Sequence, residues 1–166
     1  MLNGHIDTTP VGVGWTVDPF GGLVRDGFVH GIGVSNMKAS CAAFFGAARA
    51  VRRSGVGLRG DLVLAFVVGE LQGGVGTKRL VAEGMRTDHF IVGEPTDLAG
   101  RDPEVGAVAP YRYYGTDAPF LAAAGAQGVV CGVGGRFNTM PDEKVSLADV
   151  HGGTRLYAAV AADVCA

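Results

Sequence analysis

No stretch of this chain comes near the roughly 18 uninterrupted apolar residues that a membrane-spanning helix needs, so no membrane partner is expected. Positive charge is scarce too. Lysine and arginine number 14 against 16 acidic residues, giving a net charge of −2 and a pI near 6.0. That excludes a broad basic surface for nucleic acid. Cysteine is limited to Cys41, Cys131 and Cys165, far apart and odd in number. A disulfide framework is therefore not expected, and the three suit a reducing cytoplasm as small core hydrophobes. Met1 runs straight into LNGHID, without the basic start or apolar core of a signal peptide. Despite 28 glycines there is no fixed-period repeat. What remains is a chain that is 48% hydrophobic and only 18% charged, far from a disordered composition. Its 166 residues suit one compact domain that buries roughly two-thirds of its unfolded surface.

The patterning reads as α/β. Strands are expected over Leu2–Ile6, Asp61–Val68, His89–Val92 and Gly128–Gly132. Helices are expected over Met37–Arg53, Gly76–Glu83, Asp117–Ala124 and Ser146 to about Ala162. In the first helix the apolar Ala42, Phe45, Ala48 and Val51 recur every three positions, close to helical spacing, before Arg52 and Arg53. Alternating strands and helices imply crossover units, a mainly parallel sheet and helices on both faces, a three-layer α/β sandwich. The least regular stretch is AGRDPEVGAVAPYRYYG, Ala99–Gly115, the natural place for a domain insertion.

One segment invites a phosphate-loop reading. VVGELQGGVGTKRL follows an apolar strand and contains Gly69 and Gly74 at the spacing of G-x-x-x-x-G. A phosphate loop needs lysine directly after the second glycine, so that the ammonium reaches the phosphates. Here Val75 follows, the lysine comes only at Lys78, and Thr77 precedes it. Nucleotide binding is not expected.

A second segment carries more. In GHID, His5 and Asp7 lie two apart, which on an extended strand puts both on one face. That suits a metal-binding imidazole oriented by a carboxylate. GHIDTTPVGVGWTVDPFGG is followed in order by GIGVSNMKAS, GELQGG, IVGEPTD and GVGGRFNTMPDEKVSL. Together these resemble the catalytic domain of the dinuclear zinc deacylases and peptidases, the family of acetylornithine deacetylase, succinyl-diaminopimelate desuccinylase and aminoacylase.

The resemblance implies a site with departures. Its histidine ligand and orienting aspartate fall on His5 and Asp7, its general base on Glu70, and one acidic ligand on Glu94. The aspartate that bridges the two zincs is here Asn36, the second carboxylate of the glutamate pair is Leu71, and the late histidine is Thr139. Three of the five ligand positions are thus substituted. Leucine offers no lone pair, and two close cations need an anion between them that Asn36 does not supply. No dinuclear centre is expected; at most one zinc would bind weakly, at His5 and Glu94 with help from the Asn36 amide. The family's lid and dimerisation domain has no room between Glu94 and TDAPF, and its elements before the G-H-x-D strand are missing, so the chain reads as a single truncated catalytic-type domain. Exposed flanks of that kind would suit a protein partner covering the missing elements.

Blander readings stand beside these. Glu70 could serve the N-terminus of the following helix. His30, His89 and His151 match no ligand and are expected at the surface or in hydrogen bonds. Cys131 has no base nearby in sequence and is read as packing, and Tyr111, Tyr113 and Tyr114 as cover for the core. Three functions stay open. The first is a metal-dependent amide hydrolase acting on a small N-acylated amino acid or peptide, with Glu70 as base. The second is a degenerate relative, weak or inactive, that works by binding or assembly. The third is a metal-free enzyme using Glu70, His5 and Thr139.

Overall fold

The structure is a computed structural model and describes residues 1–96 and 115–165. Eleven elements follow one another: β1 (Leu2–His5), β2 (Val24–Arg25), β3 (Phe28–His30), α1 (Ala39–Ser54), β4 (Leu64–Val67), α2 (Val75–Ala82), β5 (His89–Pro95), α3 (Ala118–Ala123), β6 (Gln127–Gly132), β7 (Lys144–Ser146) and α4 (Leu147–Cys165). Strands β4, β1, β5 and β6, in that order, form a wholly parallel sheet. The α/β sandwich with a mainly parallel sheet is therefore found as expected.

Helices cover both faces of this sheet. On one side α1 and α4 bury Ala43, Phe44, Ala47 and Tyr157 against Leu2 and Val133. The rings of Phe44 and Tyr157 meet at 4.6 Å between centroids, and the Tyr157 hydroxyl donates to the Cys131 carbonyl at 2.9 Å. On the other side Leu80, Val81, Ala118 and Leu121 pack on Ala65, Phe90 and Val92. The helix layer comes so close that a side chain at Gly93 would lie 2.6 Å from Ser40 and 2.7 Å from Met37. Glycine in this strand is a packing requirement.

The buried face of α1 is not the row of apolar residues that recurs every three positions. Phe45 is 60% exposed and Ala42 is exposed, whereas Ala43, Phe44, Ala47 and Val51 are buried. A spacing of exactly three lags behind the 3.6-residue turn, so the Ala42–Phe45–Ala48 row drifts off the contact line. Buried residues instead follow steps of one, three and four, the true width of a core-facing stripe.

A small antiparallel sheet, β2–β3–β7, was not expected. Its strands are two or three residues long, too short for a period-2 pattern to register. β7 also takes the first residue assigned to the last helix. Ser146 sits at its end and its hydroxyl accepts from the Asp149 N–H at 3.4 Å, an N-cap for α4. No helix among the described residues is long and apolar enough to cross a membrane.

Candidate metal centre

Four segments meet at the carboxyl edge of the parallel sheet, where open α/β sheets form their crevices. His5 is the last residue of β1, Glu94 lies near the end of β5, and Glu70 sits in the turn after β4. Asn36 comes from a wide helical turn, Val34–Lys38, that leads into α1. Its Asn36–Met37 peptide is cis. His5 and Glu94 are almost wholly buried.

The imidazole of His5 organises the site. Its Nδ1 lies 3.1 Å from the Asp7 carbonyl and 3.3 Å from the Asp7 carboxylate. Its Nε2 faces Glu94 Oε1 at 3.3 Å, Asn36 Oδ1 at 3.3 Å and Glu70 Oε2 at 3.9 Å. One donor of His5, Glu70 and Glu94 can be chosen so that all three lie within 4.8 Å of one another. Asp7 lies beyond the strand rather than on it, so its pairing with His5 comes from the loop and not from strand alternation. Its carboxylate also accepts long hydrogen bonds from the Glu70 and Leu71 N–H groups, at 3.4 and 3.3 Å. Asp7 thereby ties the β1 loop to the Glu70 turn.

Electrostatics follow from this crowding. Burial works against a charged His5, but Glu94 beside it, with Asp7 and Glu70, outweighs burial and pushes its pKa up to about 9. Burial raises the Glu70 pKa, Glu94 adds to the rise, and His5 opposes it. Burial likewise opposes ionisation of Asp7, yet the Leu71 N–H and its other donors, with His5, hold its carboxyl below the usual value. Cys41 packs nearby, and burial followed by Glu94 pushes its thiol up to about 12, which leaves it an inert core residue.

Three oxygens surround one ring nitrogen that carries at most one proton. Glu94 Oε1 is buried within ion-pair distance of His5, yet no hydrogen bond aligned well enough reaches it. Such a nest of acceptors around one imidazole calls for positive charge, and the donor set of imidazole and carboxylate oxygens fits a divalent ion such as zinc. A second ion finds no comparable set among the described residues. Leu71 is 40% exposed and contributes only its backbone N–H. Thr139 lines a small cavity with Trp15, Ile32 and Pro141.

Other expectations resolve plainly. Glu70 lies five residues before α2, and its carboxylate faces His5 rather than the helix amides. The Glu70 turn is shaped by glycine: Gly74 has φ 76°, and a side chain there would run into Phe120 and Asp117. Lys78 stacks over the Phe120 ring at 4.5 Å, so the glycine turn aims no ammonium at a phosphate position. His89 and His151 are exposed, but His30 is buried and its Nδ1 has no hydrogen-bond partner, which corrects the place expected for it. Tyr111, Tyr113 and Tyr114 lie outside the described residues.

Two groups escaped the motif reading. Beneath the Glu70 turn, the Asn3 amide donates to Thr77 at 3.2 Å and the Thr77 hydroxyl to Asp117 at 2.7 Å, all three buried. Glu143 is buried against the Asn36 turn. Asp117 stands in TDAPF and Glu143 in MPDEKVSL, but nothing in the spacing says that these side chains turn inward.

A parallel α/β sheet with histidine and carboxylates gathered at its carboxyl edge is a frame that metal-dependent hydrolases use. Residues 1–109 match the peptidase family M20/M25/M40, and the chain belongs to that family. It is 40% identical over 134 residues to succinyl-diaminopimelate desuccinylase 2 of Ruegeria sp. (strain TM1040), covering 76% of this chain and 33% of that protein. To N-formyl-4-amino-5-aminomethyl-2-methylpyrimidine deformylase of Bacillus subtilis (strain 168) it is 34% identical over 100 residues, covering 59% and 24%. An M20 family metallo-carboxypeptidase from Sulfolobus solfataricus shares the fold, with a TM-score of 0.53 at 22% identity over 60% of this chain and 24% of that one. The chain thus spans a third or less of the length of these relatives.

Proposed function

We propose that the chain carries a one-metal remnant of an M20-type amide hydrolase centre, able to bind a divalent cation weakly and poor at turnover. The observation that carries this is the buried ring of acceptors around His5 Nε2, set beside the loss of ligand chemistry at Leu71 and Thr139. His5 and Glu94 would hold the ion, with the Asn36 amide oxygen as a neutral third contact. A bound divalent cation supplies Lewis acidity, polarising a carbonyl and making water more acidic.

The chain's own residues have separate roles. Asp7 holds the His5 ring through Nδ1, leaving Nε2 turned inward. Glu70, with its pKa raised by burial and by Glu94, is suited to accept a proton from water and return it to a leaving amine. A cavity of about 350 Å³ lined by Glu70, Leu71, Gly74, Thr116 and Phe120 opens beside that carboxylate. It would admit the acyl part of a small N-acylated amino acid or peptide. Segment 99–115 offers little chain for a substrate-closing lid, and positioning of that kind can contribute several kcal/mol to a rate.

The test pairs zinc and cobalt titrations of the metal-stripped protein with assays on N-succinyl, N-acetyl and N-formyl amino acids. Binding of no more than one ion, weakly, with barely detectable chelator-sensitive hydrolysis is the expected result. Two tightly held ions would overturn the one-metal reading. Brisk chelator-sensitive turnover would overturn the weakness of the site.

A further inference from the structure

Glu143 is only 1% exposed, and no lysine or arginine among the described residues forms an ion pair with it. A buried carboxylate in that position needs strong donors. It has three, all from one turn: the N–H groups of Gly33 at 2.8 Å, Ser35 at 2.8 Å and Asn36 at 2.9 Å. Asn36 and Met37 depart from helical backbone angles, so this turn lacks a regular ladder to hold its shape. The carboxylate provides that hold. Around it the two segments are joined again, by the Gly31 N–H to the Glu143 carbonyl at 3.0 Å and by the Ser35 hydroxyl to Asn138. Gly135 approaches Ser35 so closely that any side chain there would collide with it.

From this geometry we propose that Glu143 is a positioning residue for the metal centre. Its carboxylate fixes the turn that sets the residue-36 side chain 3.3 Å from His5 Nε2. Hydrogen bonds from backbone N–H groups to a charged acceptor are about twice as strong as neutral ones, and three on one carboxylate make a stiff clamp. Asn36 contributes its amide only while that clamp holds. The link to metal binding rests on the one-metal reading; the clamp itself does not.

Amide hydrogen exchange tests the clamp without metal. In the parent, the Gly33, Ser35 and Asn36 amides should exchange slowly. Glu143→Gln keeps the shape but removes the charge and one acceptor. It should speed these three amides by about tenfold or more, while the sheet amides of Leu2 and Ile91 hold their rates. Cobalt titration adds the second arm. Asn36→Asp should tighten cobalt binding in the parent, and most of that gain, about tenfold, should vanish in the Glu143→Gln background. A purely structural glutamate would lower stability and leave that gain intact.

The proposal is overturned if the three amides exchange freely in the parent, if Glu143→Gln leaves them unchanged, or if sheet amides accelerate equally. It is also overturned if the Asn36→Asp gain survives in full beside Glu143→Gln. Should Asn36→Asp not tighten cobalt binding in the parent, the metal reading fails, while selective exchange at the three amides still upholds the clamp. If Glu143→Gln does not fold, Glu143→Asp decides. It keeps the charge but draws it back by one methylene, so the same three amides alone must accelerate.

Discussion

The two halves of the candidate metal centre differ in what their side chains offer. On the side of β1 and β5, His5, Asp7, Glu70 and Glu94 form one connected cluster, with every ring and carboxylate in contact with another member. On the side of the Asn36 turn and the 139–143 segment, the side chains at the expected ligand positions are a neutral amide, Asn36, and a hydroxyl, Thr139, while the backbone around them is firmly held. Glu143 grips the turn, and Thr139 itself has left-handed backbone. The scaffold on that side is in place whatever its side chains can bind. A ligand can be replaced at the cost of its bond to metal alone, whereas a buried carboxylate holding three amides cannot be removed without leaving those groups unpaired.

The largest effect is expected from supplying ligands at Asn36 and Thr139 on one side and at Leu71, beside Glu70, on the other. Asn36→Asp, Leu71→Glu and Thr139→His together should tighten zinc binding by about a thousandfold, or ~4 kcal/mol. The same variant without metal should melt below the parent, because four carboxylates would crowd one cavity, and should recover when zinc is added. Calorimetric titration and melting curves check both. An unchanged affinity would mean that the scaffold on that side is not preserved.

Emptying the intact half comes next. Glu94→Ala should weaken cobalt binding by about a hundredfold, ~3 kcal/mol, since it removes one of only two strong donors. Glu70→Gln should change it less than about threefold while removing whatever hydrolysis the parent shows, as expected of a proton acceptor rather than a ligand. Equal losses of cobalt affinity in the two variants would make Glu70 a ligand.

How much of this could be read from the chain depends on what each feature needs. Strands β1, β4, β5 and β6 and the four helices announce themselves through apolar runs and periodicity, and their ends are misplaced by only a few residues. The β2–β3–β7 sheet gives no such signal: β2 and β3 form a tight hairpin across Asp26 and Gly27 but are too short to show a period, and β7 joins them from far along the chain. The motifs bring out His5, Glu70 and Glu94, since residue type and order carry the information. Asp117 and Glu143 stay hidden even though their motifs are visible. Inward orientation is decided by backbone path, which no local pattern encodes.

A buried chain of polar groups lies under the intact half, and its pH response is the next test. Burial raises the Asp117 pKa above its ordinary 3.8, against the Thr77 hydroxyl and the His5 charge, which lower it. Folding thus disfavours ionised Asp117. Below the unfolded pKa the acid is neutral in both states and nothing is lost; as pH rises through the folded pKa, ionisation erodes stability. Asp117→Asn, which can still accept from Thr77, should raise the melting temperature near pH 7 by about 3 °C, close to 1 kcal/mol. That gain should shrink toward zero near pH 4. A gain that persists at pH 4 would assign the effect to packing instead of charge.

The smallest expected effect concerns the depleted half and needs no metal. Thr139 has φ 60°, a left-handed conformation that is unfavourable for a β-branched residue and better tolerated by histidine or asparagine. Left-handed backbone costs an ordinary residue about 1–2 kcal/mol, and easing part of that should yield about 0.5 kcal/mol. Thr139→His and Thr139→Asn should therefore each stabilise the metal-free protein slightly, raising its melting temperature by about 1–2 °C. Asparagine serves as the control, because it shares histidine's tolerance of this backbone but not its imidazole. If both variants gain equally without metal, the bend is a backbone retained from a residue better suited to it, and the Thr139 side has kept its scaffold. If only histidine gains, the effect comes from a contact of the ring. If neither gains, the bend suits threonine, and the depleted half has been rebuilt around its new residues.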